Sequence, residues 1–244
     1  MKQSLFKIIK NEPLTSTVYR MILEGDTSAI TRSGQFLNIK LDGLFLRRPI
    51  SVCDYDDNTI TILYKVVGKG TEGMSKLSPA SILDILTGLG NGYDTTKSGN
   101  HPLLIGGGVG VPPMFRLAKD LIAEGKNPKV ILGFNTKDET FYIEEFQHLG
   151  AEVLIATADG SIGTKGFVTD IVKELCDYTY FYTCGPEPML KALSDCTTTS
   201  GQLSFEERMG CGFGACMGCS CETKYGNKRI CKDGPVLEKE EIIW

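Results

Sequence analysis

The chain contains one tryptophan, two histidines and no apolar run approaching the ~20 residues that a membrane-spanning helix requires. With so little histidine, neither imidazole acid-base chemistry nor a histidine-rich metal site is favoured. His101 and His148 both fall in polar connecting sequence, where surface placement is expected. Basic residues are also short: 26 Lys and Arg against 30 Asp and Glu leave a net charge of −4, without the cationic footprint that nucleic acid or an anionic membrane would need. The opening MKQSLFKIIKNEPL lacks the apolar core and cleavage site of a secretion signal, so a cytoplasmic, reducing compartment is expected.

What the chain does have is sulfur and glycine, unevenly spread. Residues 209–221 read MGCGFGACMGCSC, four of the nine cysteines in one short stretch. At 244 residues the chain can bury a sizeable core without covalent staples, and an odd cysteine count fits a paired disulfide framework poorly. Metal ligation is the better reading.

Two rhythms divide the rest. Up to about residue 97 the chain reads as short strands, with alternation in Tyr19, Met21 and Leu23, in Leu37, Ile39 and Leu41, and in Ile60, Ile62, Tyr64 and Val66. A small β-barrel is expected. After the polar TTKSGNH at 95–101, apolar runs alternate with helical spacing such as Met114, Leu117, Ala118, Leu121 and Ile122, which predicts a parallel α/β sheet over 98–203. Residues 204–244 have too few apolar positions for a core of their own and are expected to fold around a metal.

Cys211, Cys216 and Cys219 stand in C-x4-C-x2-C order and Cys231 follows, the ligand order of plant-type 2Fe-2S centres. The interleaved glycines permit close backbone approach, so that amide N-H groups can offset cluster charge. A tetrahedral zinc knot also takes four thiolates, but zinc sites usually pair short knuckles, and the long three-cysteine loop favours iron-sulfur. Cys221, two residues past Cys219, is left outside the tetrad. Cys53, Cys176 and Cys196 read as buried or idle thiols.

Two further loops suit nucleotides. GGGVGVPP at 106–113, with Gly106, Gly107, Gly108 and Gly110, joins an expected strand to an expected helix, where bare backbone favours phosphate. Cys184, Gly185 and Pro186 open CGPEPM after the strand YFYT, and in a parallel sheet both loops lie at the carboxyl ends of the strands. Within the β-rich part, Arg48 and Ser51 of FLRRPISV stand just beyond a strand and offer a charge and a hydroxyl to a flavin nucleotide; LYKVVGKGT runs from a strand into a glycine turn that offers Thr71 and backbone N-H groups. Nicotinamide carries two electrons as hydride and a 2Fe-2S centre accepts one, so something between them must split the pair, which a flavin can do.

Taken in order, RRPIS, YKVVGKGT, GGGVGVPP, ATADGS, CGPEPM and EERMGCGFGACMGCSC resemble the electron-transfer subunits of dihydroorotate dehydrogenase B, in the ferredoxin reductase superfamily, over almost the whole chain. The resemblance implies an FAD-binding antiparallel β-barrel at 1–97, an NAD-binding parallel α/β sheet at 98–203 and a small C-terminal 2Fe-2S domain at 204–244. It implies flavin contacts at Arg48, Pro49, Ile50, Ser51, Leu63, Tyr64, Lys65, Gly70 and Thr71, and cluster ligands at Cys211, Cys216, Cys219 and Cys231. It also implies a separate FMN-containing catalytic subunit, joined as a heterotetramer of two of each, in pyrimidine biosynthesis. No residue of this chain is assigned a catalytic role. The rival readings are a reductase subunit serving a hydrogenase, sulfite reductase or glutamate synthase, and a zinc-holding nucleotide-binding regulatory module.

Overall fold

The structure is a computed structural model describing residues 1–244. Six strands close an antiparallel barrel in the order β1-β2-β5-β4-β3-β6: β1 (Lys2–Pro13), β2 (Val18–Glu24), β3 (Phe36–Ile39), β4 (Arg48–Tyr55), β5 (Thr59–Lys65) and β6 (Ile82–Leu89). The alternation read in the sequence becomes the barrel interior, where Met21, Leu23, Leu37, Ile39, Ile60, Ile62 and Tyr64 form one apolar core. Between β5 and β6 lies a short helix, α1 (Lys69–Ser75), where the glycines of KVVGKGT suggest only a turn. The Thr71 hydroxyl accepts the amides of Val67 and Gly68, and Asn11 of β1 donates to the carbonyls of Met74 and Leu77, so tertiary contacts hold a sequence of low helix propensity.

The second unit is a seven-stranded sheet. It comprises β7 (Pro102–Gly107), β8 (Lys129–Phe134), β9 (Glu152–Thr157), β10 (Thr164–Lys165), β11 (Tyr180–Cys184) and β12 (Gly201–Ser204), all parallel in the order β10-β9-β8-β7-β11-β12. Helices α2 (Val111–Ala123), α3 (Ile143–His148), α4 (Val168–Glu174) and α5 (Glu187–Cys196) make the crossovers. No helix is long and apolar enough to cross a membrane.

The tail forms a two-stranded hairpin, β13 (Ser220–Thr223) with β14 (Gly226–Arg229), and then returns to the large sheet as β15 (Val236–Glu238), antiparallel to β12. The cysteine-rich segment is therefore tied at both ends to the parallel sheet, a support beyond the metal expected to hold it.

The barrel touches both other parts. Helix α2 lies on β4, where Arg116 donates to the Tyr55 carbonyl at 2.5 Å, its guanidinium stacks 3.9 Å from the Tyr55 ring centroid, and Lys119 pairs with Asp54 at 2.6 Å. On the other side, Phe36, Leu86 and Leu89 share an apolar group with Cys219, Ile230 and Cys231.

Candidate functional site

Arg48, Pro49, Ile50 and Ser51 are the first four residues of β4, inside the strand and not beyond it as the sequence suggests. Proline is accommodated at a strand start, where its missing N-H costs no interior ladder bond. The two arginines of FLRRPISV divide their work. Arg47 is occupied by structure, donating to the carbonyls of Asn38 and Asp84 and pairing with the Asp84 carboxylate at 2.9 Å. Arg48 has no carboxylate partner; its guanidinium donates to the Leu46 carbonyl at 2.6 Å and lies over Gly70, where an added Cβ would stand 2.3 Å from Nε. The structure thus brings together Arg48 and Gly70 from two separate motifs.

Leu63, Tyr64 and Lys65 end β5. The Tyr64 ring points into the barrel, stacked on Tyr19 with centroids 5.8 Å apart, and its hydroxyl donates to Asn11 at 2.9 Å. Burial is the main reason its phenol is held well above its usual range. Leu63 is likewise buried, packed in the apolar group shared with α2, while Lys65 stays partly exposed.

At the second pair of loops, Gly106 and Gly107 end β7, Gly108 to Gly110 make a single 3-10 turn, and α2 begins at Val111 with Pro112 and Pro113 in its first turn. Gly108 has φ +52° and open space above its Cα. Cys184 ends β11, and Gly185 and Pro186 lead into α5. The two loops meet: a Cβ on Gly110 would stand 2.1 Å from the Cys184 carbonyl oxygen, and one on Gly107 would stand 2.5 Å from the Met189 sulfur. Only glycine lets the backbones approach so closely at the carboxyl ends of β7 and β11. Burial pushes the Cys184 thiol up to about 12, so it is a neutral group at physiological pH.

The four cysteines of the expected tetrad are grouped in two pairs, Cys211 with Cys216 and Cys219 with Cys231, and in each the amide of the second residue donates to the sulfur of the first. Three backbone amides, of Phe213, Ala215 and Cys216, donate to the Cys211 sulfur at 3.5, 3.2 and 3.5 Å, and the Cys231 amide donates to the Cys219 sulfur at 3.4 Å. Burial opposes ionisation of Cys211, but these amides and the Cys216 thiol outweigh it and lower its pKa to about 6. Burial, followed by the Cys219 thiol, pushes Cys231 up to about 12. Four thiols in two pairs with amides aimed at sulfur fit a cluster of two irons, each needing two thiolates beside its bridging sulfides. Cys216 is exposed and Cys219 and Cys231 are buried, so the loop has an outer and an inner side, with Phe213 and Met217 exposed on the outer one. Cys221 lies on β13, paired with Lys228 in the hairpin, outside both sulfur pairs. His101 and His148 are exposed, as expected.

One residue escaped the sequence reading. Asn38 of β3 donates its side-chain N-H to the Cys211 carbonyl at 3.2 Å. A single asparagine in FLNIK carries no motif, so only the fold shows it.

An antiparallel barrel beside a parallel sheet with glycine loops at its carboxyl ends defines a ferredoxin reductase-like oxidoreductase. Among solved structures, an NADH-dependent reduced ferredoxin-NADP oxidoreductase is similar over 99% of this chain and 90% of its own, with a TM-score of 0.90 and 29% identity. A ferredoxin NADP+ reductase from Neisseria gonorrhoeae shares the fold at a TM-score of 0.68 and 16% identity, over 85% of this chain and 94% of its own. Residues 104–195 match the oxidoreductase NAD-binding domain, and 206–243 match the iron-sulfur cluster binding domain of dihydroorotate dehydrogenase B. A dihydroorotate dehydrogenase B (NAD(+)) electron transfer subunit from Geobacillus sp. is 42% identical over all of this chain and 99% of its own, and one from Fusobacterium nucleatum is 43% identical over 96% of this chain and 95% of its own. The chain belongs to the family of dihydroorotate dehydrogenase B electron transfer subunits. It is an oxidoreductase subunit working with FAD, an iron-sulfur cluster and NAD.

Proposed function

We propose that this chain carries electrons released by dihydroorotate oxidation in an FMN-containing catalytic partner to NAD, within a cytoplasmic heterotetramer of two copies of each subunit that serves pyrimidine biosynthesis. The observation that carries this reading is the placement of the barrel, which touches the NAD-side helix through β4 and the cysteine loop through β3. Flavin chemistry, bound there, supplies the exchange between one-electron and two-electron carriers.

The residues divide by task, along the division 1–97, 98–203 and 204–244. Arg48, Pro49, Ile50 and Ser51, the backbone of Leu63, Tyr64 and Lys65, and Gly70 with Thr71 hold FAD. Gly106, Gly107, Gly108 and Gly110 with Cys184, Gly185 and Pro186 shape the NAD site, where the open backbone above Gly108 admits a ligand and the close approach of Gly110 to Cys184 fixes the crevice. Cys211, Cys216, Cys219 and Cys231 hold 2Fe-2S, and the outer side of that loop, with Phe213 and Met217 exposed, faces the partner.

As an electron transfer subunit, this chain leaves substrate oxidation to the partner. The isolated, cofactor-loaded chain is expected to pass electrons from NADH to an artificial acceptor and to show no dihydroorotate oxidation until the partner is added. Steady-state assays with and without the partner check this, and substrate oxidation by the isolated chain would overturn it.

Arg48 supports a second expected result. Its guanidinium has no carboxylate to neutralise it, and removing a charge-assisted hydrogen bond to the nucleotide costs about 1.5 to 3 kcal/mol. Arg48→Ala should therefore weaken FAD binding at least about tenfold. Flavin retained at parental affinity in a titration would remove Arg48 from the site.

A further inference from the structure

The barrel meets the cysteine-rich segment through an apolar group and through two asparagines: Asn91 binds the backbone of Asp233 and Val236, and Asn38 reaches the cysteine loop itself. Asn38 is 1% exposed, and all four residues of β3 are buried. Its Nδ2 donates to the Cys211 carbonyl at 3.2 Å, while its Oδ1 is buried without a hydrogen-bond partner. Stranding a buried acceptor is unfavourable, and an aliphatic residue of similar size would avoid it. Within the chain, the donor is the half of the Asn38 amide that is used.

The surroundings show what the donor holds. Asn38 pairs across the sheet with Pro49, the second residue of Arg48–Ser51. On the loop side, Gly212 takes φ +78° and sits so tightly on Asn38 that a Cβ there would stand 2.3 Å from Nδ2. One side chain thus joins the strand pair of the proposed flavin site to the carbonyl of the first proposed cluster ligand.

We propose that Asn38 is a positioning residue for electron exchange between flavin and cluster: it fixes the Cys211 end of the cysteine loop against β3 and β4. The proposal rests on the reading that FAD lies at Arg48–Ser51 and that Cys211 is a cluster ligand. Each hydride delivered to NAD carries two electrons, taken singly from the cluster; Asn38 itself gains and loses neither electrons nor protons.

The test compares Asn38→Leu and Asn38→Ala with the parent, all as cofactor-loaded full-length chains, and uses Leu23→Ala, a change in the barrel core, as a control for lost stability alone. Hydrogen exchange at the amides of Phe213, Ala215 and Cys216 should quicken about threefold to tenfold in the Asn38 variants, as expected for one lost hydrogen bond. Flavin reduction by NADH should proceed at the parental rate, while the later bleaching of the cluster slows and its reduced-state electron paramagnetic resonance line broadens. Unchanged exchange and bleaching in a folded Asn38 variant would overturn the proposal, as would equal changes in Leu23→Ala. Failure of the underlying reading shows separately: Arg48→Ala would keep parental FAD affinity, or Cys211→Ser would keep its iron, whatever Asn38 does.

Discussion

Replacing Cys219 with serine is expected to abolish cluster binding and, in the complex with the partner, NAD reduction by dihydroorotate, while NADH oxidation with an artificial acceptor persists. Cys219 is 3% exposed, its sulfur accepts the Cys231 amide, and it packs with Ile230 and Leu203 in the apolar group beneath the loop. A hard oxygen donor is a poor substitute for thiolate on iron, and a hydroxyl at this buried position adds a polar group among apolar neighbours. Cys221 supplies the contrast. It lies two residues on, in the β13–β14 hairpin, partly exposed and outside both sulfur pairs. Cys221→Ser should keep its iron and full coupling, with stability changed by no more than about 1 kcal/mol. Iron and sulfide content, the reduced-cluster spectrum and coupled NAD reduction check both variants. An intact cluster in Cys219→Ser, or a lost one in Cys221→Ser, would show that the tetrad is wrongly drawn.

The proposed tetrad can be drawn from the sequence because ligation imposes spacing, and spacing survives without knowledge of the fold. The barrel was legible for a similar reason: alternation at Met21 and Leu23 or Ile60 and Ile62 records which side of a strand is buried. Helix α1 was not, because KGTEGMS has two glycines and its helix depends on Asn11, a residue some sixty positions away. Strand β15 was hidden too, since its pairing with β12 bridges the whole cysteine-rich segment and leaves no local pattern. The parallel-sheet rule correctly placed GGGVGVPP and CGPEPM at one crevice. It could not show that Gly110 and Cys184 touch through backbone, nor that Asn38, between Leu37 and Ile39 in an alternating strand, faces the cysteine loop and not water.

The Gly110 contact leads to the largest effect expected from the loss of no functional group. Gly110 has φ −81° and ψ −10°, a conformation open to any residue, so Gly110→Ala introduces no backbone strain of its own. The obstacle is space: the new methyl would lie 2.1 Å from the Cys184 carbonyl oxygen, against at least 3.4 Å for ordinary van der Waals contact. Both sides are backbone, so no rotamer can relieve the clash, and the two loops must part by more than an ångström. Overpacking of this kind costs about 1 to 3 kcal/mol of stability. Its effect on hydride transfer should be greater in proportion, because a displacement near 1 Å at a reacting pair can cost about a hundredfold in rate. Gly125→Ala separates the two consequences. Gly125 follows α2 with φ +78° and open space around it, so alanine there brings left-handed strain of about 1 kcal/mol and displaces nothing near the crevice. Turnover of NADH with an artificial acceptor should fall about a hundredfold in Gly110→Ala and stay near parental in Gly125→Ala, although both melt at lower temperature. Equal turnover in the two variants would mean that the crevice between β7 and β11 does not position the nicotinamide.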